Sequence, residues 1–156
     1  GQDYGFSSDE STLLECNIDS SNKRIYINER FYLKGLTTSQ IYHLNKQHAN
    51  DALIVADSAE PRLISELRKM GHNIFPSIKG KDSVNAGIDL LKRYKIHILN
   101  TSTNAISEFR NYKWKEDKSG KLINVAEDLH NHIIDPCRYA TYSILSRPNF
   151  GKYAIQ

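Results

Sequence analysis

The chain has 156 residues, 39% hydrophobic and 25% charged, with a formal net charge of +3. That is enough length and apolar content for a hydrophobic core, and it excludes an intrinsically disordered chain. No apolar run reaches the length of a membrane span, and the opening GQDYGFSSDE has neither the basic nor the apolar region of a signal peptide.

Taken in chain order, Ser11–Ile18 and Arg24–Leu33 are rich in Ile, Leu and Tyr with partial alternation, and DSSNK lies between them as a turn. The pattern predicts a β-hairpin. Thr37 or Thr38 then caps a helix running to about Gln47. Ala52–Ala56 (ALIVA) is a short continuous apolar run, as in a strand buried on both faces. Leu63, Ile64, Leu67 and Met70 recur at helical spacing, and Gly71 follows as a C-cap. Asn73–Pro76 reads as a strand, Ser83 as the cap of a helix carrying Val84, Ile88, Leu91 and Tyr94, and Ile96–Leu99 as another strand. Ser102–Asn111 reads as a helix, Asn111–Val125 as a hairpin around Asp117–Gly120, and roughly 132–146 as a last helix. An antiparallel start followed by strand–helix alternation predicts one α/β domain with a mixed sheet and helices on both faces.

Charge is segregated. Residues 1–22 carry Asp3, Asp9, Glu10, Glu15 and Asp19 with no Lys or Arg, whereas 79–95 carries Lys79, Lys81, Lys92, Arg93 and Lys95. A second basic stretch holds Arg110, Lys113, Lys115, Lys118 and Lys121. The pattern suits a cation-binding pole beside a polyanion-binding surface, although charge alone is explained as well by solvated faces. Cys16 and Cys137 have no metal-ligand spacing and read as two buried free thiols.

Three acids stand at the edges of these elements: Asp3 in GQDYGF, Asp57 in LIVADSAEP and Asp135 in HNHIIDPCRYA. Carboxylates that converge from separate elements offer hard oxygen ligands to Mg²⁺ or Mn²⁺. Two such ions about 4 Å apart can clamp the attacking and leaving oxygens of a phosphodiester. Taken singly, each acid has a plainer reading. Asp3 between glycines is an ordinary turn residue. Asp57 just past a buried strand is where ligands bind in open α/β sheets, but it equally caps the helix that Ser58, Glu60 and Pro61 announce. His132 and Asp135 share a helical face if the helix includes both, and an imidazole there would ligate metal or shuttle a proton. Pro136 suits a first helical turn, which would start the helix near Asp135 and leave His132 just outside it.

The segment around Lys79-Gly80-Lys81-Asp82-Ser83 is no Walker A loop. Phe75 stands where its first glycine is required and Asp82 where its Ser/Thr is required, so ATP binding is not expected. Its lysines remain candidates for nucleic-acid phosphates. In the hairpin, Tyr112 and Trp114 alternate with Lys113, Lys115 and Lys118. That mixture suits phosphate neutralisation by the lysines, with Trp114 packing on the core.

Together, G-Q-D-Y-G, L-I-V-A-D-S-A-E-P, I-K-G-K-D-S, L-L-K-R-Y-K-I, E-F-R-N-Y-K-W and N-H-I-I-D-P-C-R-Y-A resemble, in order and spacing, the nuclease domain of viral, mostly tailed-bacteriophage, terminase large subunits. The resemblance implies an RNase H-like fold over residues 1–156, with the family's ATPase domain absent. It implies that Asp3, Asp57 and Asp135 are the metal-binding acids and His132 their companion histidine. It also implies an endonuclease that cuts concatemeric double-stranded viral DNA during packaging, using two Mg²⁺ or Mn²⁺ ions. Asp3 and Asp57 would hold one ion, and Asp3 and Asp135 the other. Lys79, Lys81, Arg110, Lys113, Lys115 and Lys118 are the expected DNA contacts. The implied partners are duplex DNA, the terminase ATPase domain, the small terminase subunit and the portal, in the host-cell cytoplasm. The rival readings are an RNase H or junction resolvase on the same fold, and a non-catalytic module that grips DNA or docks on the portal.

Overall fold

The computed structural model describes residues 1–5, 9–80, 82–112, 114–116, 122–126 and 131–147, the backbone alone at 114–116 and 122–126. Its strands are β1 (Gln2–Asp3), β2 (Glu10–Asp19), β3 (Arg24–Lys34), β4 (Ile54–Ala56), β5 (Ile74–Pro76), β6 (Lys95–Ile98), β7 (Trp114–Glu116) and β8 (Leu122–Ala126). Its helices are α1 (Thr38–His48), α2 (Pro61–Lys69), α3 (Ser83–Lys92), α4 (Thr103–Asn111) and α5 (Ile134–Ser146). Six strands form one sheet in the order β5-β4-β1-β2-β3-β6, and β7 pairs with β8 apart from it. Strand β2 runs antiparallel to both of its neighbours, β1 and β3, while β4, β5 and β6 add in parallel. The mixed sheet and the order of elements are those the sequence predicts.

Helices cover both faces. Leu13, Phe31, Ile54 and Ile74 pack with Ile41 of α1 and with Ile64 and Leu67 of α2. Leu14, Ile25 and Ile27 pack on the other face with Leu91, Ala105, Ile133 and Cys137. In an unbroken strand Ile25, Ile27 and Phe31 would share one face. A bulge prevents this: Leu13 pairs with Phe31 and Leu14 with Glu29, leaving Arg30 as the extra residue. One inserted residue reverses the alternation, so a single long hairpin feeds both cores.

The helix ends follow local chemistry. Thr37 caps α1 in a reciprocal capping box with Gln40. Gly71, beyond α2, has φ +99°, a left-handed value that favours glycine. One expectation shifts, and one open reading is decided as Pro136 suggested. The cap of α3 is Asp82, in the left-handed region and without a side-chain bond, and Ser83 is already helical. The last helix starts at Ile134, so His132 precedes it and does not share a helical face with Asp135. Pro136 explains the late start, because its ring is tolerated only in the first turn. Among the described residues, Cys16 and Cys137 are free thiols, and no helix is long and apolar enough to cross a membrane. The turn Asp117–Gly120 lies outside the described residues.

Candidate active site

Asp3 ends β1, which lies between β2 and β4 in the sheet. Its neighbour Gln2 is fully buried and exchanges amide hydrogen bonds of 2.8 and 3.0 Å with Asn45 of α1, which anchors this short strand. Asp57 follows β4 directly, and its N–H continues the pairing by donating to the Gln2 carbonyl at 3.0 Å. The C-terminal ends of two parallel, adjacent strands therefore deliver Asp3 and Asp57 side by side. Asp135 arrives on the first turn of α5. That helix crosses β1 so closely that the Gly1 backbone rests on the Pro136 carbonyl, with no room for a Cβ. Side-chain exposures of 15%, 17% and 18% for Asp3, Asp57 and Asp135 leave all three mostly buried yet in reach of solvent.

Asp3 senses the other two acids. Burial raises the Asp3 pKa above the ordinary carboxylate value; a hydrogen bond from His132 opposes this, and the charges of Asp135 and Asp57 push it further up. The Tyr139 hydroxyl is raised by burial first and then by the same three carboxylates. The sequence-predicted acids thus form one electrostatic cluster, although they are separated by most of the chain.

Each acid also faces its own partner. Lys79 Nζ lies 2.8 Å from Asp57 Oδ1, an oxygen that also accepts the Ala59 N–H at 3.1 Å. Asp57 therefore braces the turn before α2 and does not cap that helix, whose N-cap is Glu60 without a side-chain bond. Arg138 Nη2 lies 3.0 Å from Asp135 Oδ1, and the Tyr139 hydroxyl donates to Oδ2 at 3.2 Å. The Arg138 stem lies where a Cβ on Gly87 of α3 would stand, so this glycine makes the space that lets Arg138 reach its acid. His132 stands between carboxylates, with Nδ1 3.4 Å from Asp3 Oδ2 and Nε2 3.4 Å from Glu10 Oε2. Its pKa is raised, mainly by the Asp3 hydrogen bond and against a smaller effect of burial. Its carbonyl accepts the Thr12 hydroxyl at 2.6 Å.

The donor set suits a divalent cation in kind: three hard carboxylates, half-withdrawn from water, whose mutual repulsion a cation would relieve. Among the described residues, no three His, Cys, Asp or Glu side chains stand drawn together as a ready-made cage. Lys79, His132 and Arg138 each pair with one of the three carboxylates.

Of the expected DNA contacts, Lys79 is half-exposed (51%) on Asp57 and Arg110 is exposed in the last turn of α4. Lys115 is placed in β7 by its backbone. Lys81, Lys113 and Lys118 lie outside the described residues. Glu10, Glu108, Arg138 and Tyr139 were not foreseen as part of the site. Helical spacing from Asp135 would have flagged Arg138 and Tyr139; no local signal flags Glu10 or Glu108.

Comparison with known proteins follows the same outline. A family described as the terminase RNase H-like domain matches residues 3–142. The large terminase subunit of Bacillus phage SPP1 is 36% identical over 147 residues, covering 90% of this chain and 34% of that protein. The PBSX phage terminase large subunit of Bacillus subtilis (strain 168) is 28% identical over 142 residues, covering 90% of this chain and 33% of that protein. The chain thus spans about a third of the length of these curated relatives. The crystal structure of the SPP1 large terminase nuclease domain with bound Mn superposes with a TM-score of 0.82 at 32% identity, over 91% of this chain and 83% of that one. The large terminase of a thermophilic bacteriophage matches at a TM-score of 0.72 and 20% identity, over 92% of this chain and 38% of that one, a likeness of fold. The RNase H-like fold expected from the sequence is the fold observed.

Proposed function

Because the chain belongs to the terminase RNase H-like domain family, we propose that it is the nuclease domain of a phage large terminase, a metal-dependent endonuclease cutting double-stranded viral DNA concatemers during packaging. The observation that carries this reading is the convergence of Asp3, Asp57 and Asp135, from β1, β4 and α5, into one coupled cluster. The Mn in the SPP1 relative supports a divalent ion as the cofactor. Because the chain spans only part of its curated relatives, packaging and the partners it implies, namely the ATPase domain, the small subunit and the portal, are carried by family membership alone.

Asp3 and Asp57 would hold one ion, and Asp3 and Asp135 a second. Bound there, divalent ions supply a more acidic water nucleophile and charge stabilisation at the leaving 3′ oxygen. The protein's own part is to fix the ligands. Arg138 and Tyr139 orient the two Asp135 oxygens, and such supporting contacts tune metal sites strongly. His132, with carboxylates at both ring nitrogens, holds a proton at Nδ1 beside Asp3 or at Nε2 beside Glu10. It can pass that proton towards a leaving oxygen. Lys79, at the rim, neutralises Asp57 in the metal-free protein and offers a phosphate contact once that acid is otherwise engaged.

The test is plasmid cleavage. Supercoiled DNA should be nicked and then linearised with Mn²⁺ or Mg²⁺, and left intact with excess EDTA. Mn²⁺ should serve at least as well, since Mg²⁺ demands stricter octahedral geometry. Cleavage that survives EDTA overturns the reading. Preference for an RNA–DNA hybrid or a four-way junction over linear duplex would instead assign the site to an RNase H or a resolvase. Metal-independent binding without cleavage would make this a DNA-gripping or docking module.

A further inference from the structure

Glu108 is 3% exposed, yet it stands outside the carboxylate cluster. It sits on α4, and its Oε2 accepts the Ile133 N–H at 2.7 Å and the Ile134 N–H at 3.4 Å. Those are unpaired donors at the start of α5, where Ile133 has no side chain able to cap. A carboxylate at this end also meets the positive pole of the helix. Oε1 accepts the Tyr32 hydroxyl at 3.2 Å, and the Tyr32 ring stands edge-on to His132 with centroids 6.3 Å apart. Both oxygens of this buried carboxylate are thus committed to the turn His132–Asp135 and its neighbour.

The other end of α4 is fixed in the same way. Glu29, beside the β3 bulge, accepts the Ala105 N–H at 3.0 Å and the Asn104 side-chain amide at 2.7 Å. One short helix is therefore tied to the sheet by Glu29 and to the start of α5 by Glu108. These two carboxylates carry the geometry of β3 across to His132 and to the first turn of α5, which bears Asp135. Thr12 completes the hold by bonding the His132 carbonyl from β2.

We propose that Glu108 is a positioning residue for the cleavage reaction: by bonding the Ile133 and Ile134 N–H groups it sets His132 and Asp135 against Asp3. The proposal rests on the nuclease reading above. Both Glu108 oxygens are engaged by Tyr32 and by the Ile133 and Ile134 N–H groups. Its effect passes through the backbone, so it depends on where the accepting oxygen stands.

The test compares Glu108→Gln, Glu108→Asp and Glu108→Ala in the full chain. Two quantities are read: kcat and KM for plasmid nicking, and the Mn²⁺ concentration that half-saturates the rise in melting temperature. Gln keeps an oxygen at the same reach, so it should hold both quantities near wild type. Asp keeps the charge but withdraws the oxygen by one methylene. It should cut kcat and weaken Mn²⁺ half-saturation by about 10- to 100-fold, as loss of a supporting contact does, with KM for DNA little changed. Ala should do at least as much. Should Ala fail to fold, the Gln and Asp pair still decides. A Glu108→Asp protein with wild-type kcat and Mn²⁺ response overturns the proposal, as does Gln behaving like Ala, since then charge and not bond geometry would matter. Wild type that binds Mn²⁺ without cleaving would remove the nuclease reading alone and leave the Mn²⁺ arm to judge Glu108. Wild type with neither response removes both.

Discussion

Lys79 Nζ stands 2.8 Å from Asp57 Oδ1, so a lysine beyond β5 occupies the acid that follows β4. An ammonium and a divalent ion cannot share that oxygen without repulsion. Lys79→Met should therefore tighten Mn²⁺ binding. The lysine is half-exposed, and such pairs are worth about 0.2–1 kcal/mol, which corresponds to about 1.5- to 5-fold in affinity. Calorimetric titration with Mn²⁺ measures it. An unchanged or weaker affinity would show that Lys79 does not compete at Asp57.

The charge of Asp3 should cost the metal-free fold stability. Its folded pKa is raised by burial and by Asp135 and Asp57. A raised carboxylate pKa means the folded state binds the proton more tightly, so stability is lost as pH rises from the unfolded value, about 4, through the folded one. Asp3→Asn removes that cost. At pH 7 without metal its melting temperature should exceed that of wild type, by about 2–4 °C for each ~1 kcal/mol relieved. The gain should fade below pH 4, and cleavage should be abolished. A melting temperature below wild type at pH 7 would contradict the assigned repulsion.

Asp135→Ala should behave in the opposite way. It leaves Arg138, whose side chain is 7% exposed, without its carboxylate. Breaking a buried pair from one side costs about 3–5 kcal/mol, and the partial exposure of Asp135 places this case below that range. Adding Arg138→Leu should recover most of the loss, as read by urea denaturation. Equal stability of Asp135→Ala and wild type would mean the ion pair is immaterial to the fold.

His132 supplies a pH signature. Its folded pKa is raised, chiefly by Asp3. The stability it contributes is full below its unfolded pKa, about 6.5, and is lost as pH rises through the higher folded value. His132→Gln should therefore melt below wild type at pH 6 and close to it at pH 9, without metal. A deficit that is constant across this range would assign His132 a packing role only. Cleavage by this variant should fall less than with Asp57→Ala, because carboxylates carry the site's charge.

Most of the architecture was legible in the sequence because it depends on local periodicity. The apolar run ending at Ala56, the Thr37 capping box and the Leu63–Leu67 stripe each declare their element within a few residues. Asp3, Asp57 and Asp135 could be picked out because each abuts such an element. Their convergence could not be read from periodicity, since it depends on β1 lying between β2 and β4 and on α5 crossing Gly1. The reversal of faces at Arg30 needed the strand register. The start of α5 turned on one residue, Pro136, and moved His132 off the helix into contact with Asp3 and Glu10. Lys79 on Asp57 and Glu108 beneath the His132–Asp135 turn are meetings of residues distant along the chain. Sequence determined which groups were present and on which local elements. Only the tertiary fold decided which charges act on one another, because electrostatic coupling depends on distance in space and not along the chain.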